Sequence, residues 1–123
     1  RKAQILLSMA RQQLGTPYVW AGRSPGGFDC SGFVFYLFDQ MGYGLPRMAD
    51  GQFEVGVPVS RKDLQAGDLV FFSTYEPGPS HVGIYLGNDQ FIHASSGAGY
   101  VTVTSLSTAY YRDRYLGARR IMK

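Results

Sequence analysis

The apolar residues of the chain change period partway along, and that change does most to limit the fold. Between residues 3 and 14, Ile5, Leu6, Met9, Ala10 and Leu14 recur at helical spacing, and Gly15 then offers a stop. Asp29 is a good N-cap for a second helix, whose apolar face carries Phe33, Val34, Leu37, Phe38 and Met41 until Gly42 and Gly44 end the pattern. Phe35 and Tyr36 make this helix apolar on most sides, which predicts a central, buried element. Residues 68–73 (DLVFFS), 81–86 (HVGIYL), 90–95 (QFIHAS), 100–104 (YVTVT) and 115–122 (YLGARRIM) read as strands separated by turn residues. Helices first and strands afterwards predict an α+β fold, with N-terminal helices packed on a central antiparallel β-sheet of about five or six strands. Residues 16–27 form a shaped loop around Tyr18, Val19 and Trp20. The stretch 45–67, interrupted by Pro46, Gly51, Gly56 and Pro58, has no regular pattern.

At 123 residues the chain is long enough for one core and too short for two, so residues 1–123 are read as one domain. Its net charge of +3 comes with no dense Lys/Arg run, which argues against nucleic acid; a mildly basic face would also suit an anionic cell-wall polymer. No stretch approaches the roughly 20 apolar residues that span a bilayer, so an integral membrane protein is not expected, and no signal peptide is present. The chain opens on Arg1, which suggests a processed product or the C-terminal part of something longer.

Cys30 is the only cysteine. An internal disulfide and a Cys-rich zinc site are therefore excluded, leaving either a buried small hydrophobe or a reactive thiol. Its place in the first turn of the second helix favours negative charge, so the sequence predicts a stabilised thiolate, with helix N–H groups available to an oxyanion. A nucleophile needs a base, and the two histidines, His81 and His93, fall on consecutive strands. Taken alone, a histidine on a strand is more often a satisfied structural residue than a catalyst, but two on one hairpin with a lone cysteine upstream shift that balance. If the hairpin closes with Leu86 opposite Gln90 across Gly87, Asn88 and Asp89, then Tyr85 faces Phe91, Gly83 faces His93, and His81 lies diagonal to His93 on the same face. That diagonal is about 7–8 Å between Cα atoms, within reach of two imidazoles, and Gly83 leaves the space unobstructed. A two-residue loop at Asn88 and Asp89 would put the histidines on opposite faces. The catalytic reading makes Cys30 the attacking group, His81 the base and His93 its orienter.

The segments GTPYVWAGRSPGGFDCSGFV, LPR, AGDLVFF, SHVGIYLG and FIHAS, in this order, resemble the NlpC/P60 cysteine peptidases across essentially the whole chain. These are papain-like enzymes that cut peptide stems of bacterial peptidoglycan. The resemblance implies a papain-like fold with Cys30 as nucleophile, His81 as general base, His93 as third polar residue and Tyr18 beside the oxyanion site. It implies substrate-binding roles for Asp29 and Ser31, which would hold the free amine of an N-terminal L-alanine, and a packing or substrate role for Arg47. Trp20 is expected to line or underlie an aromatic-rich groove with Tyr18, Tyr85 and Phe91. Two departures stand out: WAG at Trp20 to Gly22 replaces the commoner WGG, and Met48 and Ala49 follow LPR where relatives often place small hydroxyl residues near the groove.

The implied activity is a D,L-endopeptidase acting between γ-D-glutamate and meso-diaminopimelate or L-lysine through a thioester, without cofactor or metal. Such an enzyme works outside the cytoplasm, secreted or at the cell envelope. The expected partner is the peptidoglycan stem peptide, with possible upstream wall-binding or SH3-like domains in the same chain and a monomeric state. The alternatives are an N-acetylmuramoyl-L-alanine amidase, a non-catalytic wall-binding module, and a zinc-binding module using Cys30, His81 and His93.

Overall fold

In the computed structural model, which describes residues 1–122, both predicted helices form where the apolar stripes lie. Helix α1 (Lys2–Gln12) buries Leu6, Leu7 and Ala10, and α2 (Cys30–Gln40) buries its first five residues together with Leu37 and Phe38. Asp29 caps α2 by accepting the Gly32 N–H at 2.7 Å. Gly32 has a second reason to be glycine. A Cβ there would run into the carbonyl of Gly22, so only a bare backbone lets the 20–22 loop lie over the start of the helix.

Two short strands, β1 (Arg23–Ser24) and β2 (Gly27–Phe28), pair with each other. The main sheet contains β3 (Val57–Val59), β4 (Leu69–Phe72), β5 (His81–Gly87), β6 (Gln90–Ser95), β7 (Tyr100–Ser105) and β8 (Tyr115–Arg120). Its order is β3-β8-β4-β5-β6-β7, antiparallel throughout. The expected α+β architecture is therefore present, with six strands. Short helices α3 (Ala49–Gln52) and α4 (Ala109–Arg112) complete it. Strand β3 and helix α3 fall inside the stretch whose irregular pattern predicts no element. Pro58 is tolerated in β3 because that strand is at the edge of the sheet.

Both faces of the sheet are covered, and their contents differ. Toward the helices, Phe33, Val34, Leu37 and Phe38 pack with Leu69, Phe71, Val82, Ile84, Ile92 and Ala94. Each of these Val, Leu, Ile and Phe side chains stabilises the fold by about 1.5–3 kcal/mol on burial, so α2 is firmly seated. On the far side a smaller cluster holds Val70, Phe72, Phe91, Leu106 and Ala118, flanked by Tyr85, Tyr111 and Tyr115. Burial on both faces explains why β4 reads as an unbroken apolar run.

The β5–β6 hairpin keeps the predicted pairing near the histidines but closes differently. Tyr85 lies opposite Phe91 and Ile84 opposite Ile92, yet it is Gly87, not Leu86, that faces Gln90. The connection is the two-residue turn Asn88 and Asp89, with φ of 52° and 66°. By itself that turn would have separated the histidines. A bulge between Tyr85 and Gly87, with Gly87 at φ 96°, absorbs one residue and restores the register.

Candidate active site

Cys30 belongs to the helical layer, whereas the two histidines stand on the opposite face of the sheet with Phe72 and Phe91. They meet where β5 begins. The carbonyl of Ser80, the residue before His81, accepts the Cys30 thiol at 3.7 Å. His81 Nε2 and His93 Nδ1 are 2.8 Å apart, and His93 Nε2 lies 2.8 Å from Thr104 Oγ1. Gly83 provides the open space: a Cβ at that position would come within 3.0 Å of the His93 Cβ. The structure thus brings the two histidines together on one face and places Cys30 and His81 on the wall of the same cavity.

His93 is fully buried, its ring 4.3 Å from that of Phe91 and 5.3 Å from that of Tyr111. Burial lowers His81 from its ordinary value to about 4. His93 is pushed well below its usual range by burial and, secondarily, by His81. Both rings are therefore neutral at neutral pH, and each carries one proton. Because Nε2 of His81 is engaged with His93, Nδ1 is the ring nitrogen left to act as a base.

The expected resting thiolate is not what this environment produces. Burial, and then the charge of Asp29, push the Cys30 thiol up to about 11, although the N–H groups of Val82, Ser31 and Cys30 pull the other way. The helix N-terminus acts with the predicted sign, but loses to desolvation because Cys30 is only 5% exposed. The resting pair is a thiol and a neutral imidazole.

Two cavities flank the sulfur, and Tyr18, Cys30 and Tyr75 line both. The first, of about 420 Å³, runs past His81, Thr104, Tyr110 and Tyr111. The second, of about 400 Å³, is walled by Trp20, Arg23, Asp29, Ser31, Arg47 and Met48. Burial, followed by the proximity of Cys30, raises the Tyr18 phenol to about 12, so it stays an O–H donor. Trp20 is 74% exposed and sits edge-on to Tyr75, their centroids 6.4 Å apart.

Asp29 does more than cap the helix. Its Oδ2 accepts from Arg47 at 3.0 Å, and Arg47 also donates to Ser31 Oγ at 2.9 Å and to the Gly22 carbonyl at 3.3 Å. Arg47 therefore ties together the cysteine helix, the loop of Trp20 and its own segment. Met48 lines the second cavity as expected, but Ala49 is buried in the core at the start of α3 and does not. Phe91 underlies His93, whereas Tyr85, at the far end of β5, lines neither cavity; its hydroxyl accepts the Asp89 N–H at 3.0 Å.

Sequence reasoning missed Thr104, Tyr75 and Tyr111. Only Thr104 had a usable signal, since strand alternation puts Thr102 and Thr104 on the face of His93 and Val101 and Val103 on the other. Among the described residues no group of three or more His, Cys, Asp or Glu side chains is arranged to hold a metal ion. None of the helices there is long and apolar enough to cross a membrane.

Residues 15–120 match the NlpC/P60 family. The probable peptidoglycan endopeptidase LytE of Bacillus subtilis (strain 168) is 45% identical over 94% of this chain and 33% of its own length. Murein DD-endopeptidase MepS/Murein LD-carboxypeptidase of Escherichia coli (strain K12) is 46% identical over 88% of this chain and 57% of its own. The crystal structure of an NlpC/P60 family protein from Bacillus cereus ATCC 10987 superposes with a TM-score of 0.90 at 39% identity, covering 96% of this chain and 39% of that one. The chain thus spans about a third to just over a half of the curated relatives named here.

Proposed function

The chain belongs to the NlpC/P60 family, and on that premise we propose that it is a cysteine peptidase that hydrolyses peptidoglycan stem peptides between γ-D-glutamate and the next diamino acid, meso-diaminopimelate or L-lysine. The observation that carries the reading is a thiol at a helix N-terminus on the wall of one cavity with an imidazole whose second nitrogen is held at 2.8 Å by another. Cys30 attacks the scissile carbonyl as its proton passes to Nδ1 of His81, which forms the C–S bond without a free thiolate in the resting enzyme. The N–H groups at the start of α2 remain for the developing oxyanion, because Asp29 occupies only that of Gly32. Tyr18 adds an O–H donor beside the sulfur. The His81 imidazolium then protonates the leaving amine as the C–N bond breaks, leaving a thioester. Water, deprotonated by His81, releases the acid and restores the thiol.

The choice of bond has its own support. A γ-linked D-glutamate carries a free α-carboxylate three carbons from the scissile carbonyl, and the cavity on the Ser31 side is walled by Arg23 beside the Arg47–Asp29 ion pair, which leaves that wall net positive. A D-alanyl acyl group, cut by a DD-endopeptidase, brings no such charge. A site of action outside the cytoplasm, where peptidoglycan lies, is part of the proposal.

Digestion of purified muropeptides by wild type and Cys30→Ala, followed by mass spectrometry, tests it. The expected product ends in γ-D-glutamate and is absent with the variant. Wild-type cleavage no greater than that of Cys30→Ala would overturn the peptidase reading. Fragments cut at a D-alanyl bond, or a whole stem released from muramic acid, would move the activity to a DD-endopeptidase or an amidase.

A further inference from the structure

Taking Cys30 and His81 as the nucleophile and base of the preceding reading, we propose that Thr104 is a positioning residue that fixes the tautomer of His93 and thereby makes Nδ1 the basic nitrogen of His81. The argument follows the protons along three groups joined by two 2.8 Å contacts, His81 Nε2 to His93 Nδ1 and His93 Nε2 to Thr104 Oγ1. For Nδ1 of His81 to accept a proton, its resting proton must be on Nε2, donated to His93 Nδ1. The proton of neutral His93 is then on Nε2, and Thr104 must accept it. The imidazolium formed when His81 takes the thiol proton imposes the same direction, because its Nε2–H still needs an acceptor. In the reverse arrangement Thr104 donates to His93, His93 donates to His81, and His81 holds its proton on Nδ1, where a base should be empty.

The surroundings of Thr104 suit an acceptor. It lines the cavity that contains Cys30 and His81, so its own hydroxyl proton can turn into that cavity while the oxygen receives His93. It stands directly opposite Phe91, two residues along the strand from the Thr102 that faces His93, and is reached diagonally by the imidazole. A valine at this position would occupy nearly the same volume and leave a fully buried N–H of His93 without an acceptor. His93 would then relieve that cost by moving its proton to Nδ1, which is the unproductive arrangement.

Thr104→Val and Thr104→Ser, made in the chain as it stands, separate positioning from packing. Histidine ring nitrogen NMR shifts should show His93 protonated on Nε2 in wild type and Thr104→Ser, and on Nδ1 in Thr104→Val. The valine variant should lose about 10- to 100-fold in kcat on muropeptides, the range of a lost orienting partner, with KM within about twofold, and serine should restore most of it. The rate of Cys30 alkylation by iodoacetamide, which needs no peptidoglycan, should fall in the valine variant and recover with serine. Wild-type ring shifts in Thr104→Val would overturn the proposal, as would equal losses in both variants with unchanged tautomers. Absence of muropeptide cleavage by wild type would count against the proposed function alone, since the NMR and alkylation measurements still decide the role of Thr104.

Discussion

Ala21 has a φ of 64°, in the left-handed region where a side chain costs about 1–2 kcal/mol relative to glycine. From the sequence, alanine for glycine in WAG is a minor departure from the family pattern. The backbone shows that it is the strained residue of the loop that lies over the start of α2. The next residue, Gly22, accepts the Asp29 N–H at 2.9 Å and Arg47 at 3.3 Å, which holds the loop in place and with it the strain. Ala21→Gly removes the strain but loosens the unfolded chain, an opposing effect of about 0.4–1 kcal/mol. The expected net gain is about 0.5–1 kcal/mol, read as a higher urea midpoint at an unchanged slope. A lower midpoint would mean that the Ala21 methyl contributes packing that outweighs its backbone strain.

At the level of elements, the site depends on two terminations: the start of α2, where Asp29 and Arg47 hold the cysteine turn, and the turn of the β5–β6 hairpin. In the hairpin one residue controls which face a histidine occupies. Asn88 and Asp89 make a tight turn that alone gives the wrong parity, and the bulge ending at Gly87 corrects it. Deleting Gly87 removes the extra residue together with the bulge and leaves Leu86 facing Gln90 across the same two-residue turn, so Tyr85 still faces Phe91 and both histidines keep their face. Packing of Ile92 and Ala94 against the helices favours the same register. The deletion variant is therefore expected to remain folded by far-ultraviolet circular dichroism and to keep most of its muropeptide cleavage. A folded deletion variant whose cleavage drops to the level of Cys30→Ala would show that the bulge is needed for more than the face it restores.

Across the whole molecule, what the sequence made legible was what repeats or what is rare. Helices α1 and α2 and the strands of the second half announce themselves through period and turn residues, and Cys30, His81 and His93 through scarcity of type. Helix α3 and strand β3 span four and three residues, too few to show a period, and are fixed by contacts from afar. Gln52, for example, donates to the carbonyls of Ser31 and Pro46 from inside the protein. Tyr75 and Tyr111 are two of nine tyrosines, so residue type could not single them out. Nor could sequence show how deeply the site is buried, which has a consequence for the stability of the entire fold. An unfolded histidine titrates near 6.5, whereas folded His81 titrates at about 4, and His93 is displaced in the same direction. Below pH 6.5 the unfolded chain gains protons that the folded chain refuses, so stability is lost as pH falls. The slope for one such group approaches 1.4 kcal/mol per pH unit, which for His81 amounts to about 3 kcal/mol between pH 6.5 and 4. Asp89, held below its ordinary range mainly by the hydroxyls of Ser107 and Ser105, acts with the same sign but only below about pH 4. Against a total of about 5–15 kcal/mol for a domain, the buried pair should dominate acid sensitivity above that point. Urea unfolding at pH 7.5, 6.5, 5.5 and 4.5 should show a steady decline that begins near pH 6.5. The decline should be shallower in His93→Asn, which removes one of the two buried rings. A stability unchanged from pH 7.5 to 4.5 would mean that the histidines accept protons in the folded state as readily as in the unfolded one.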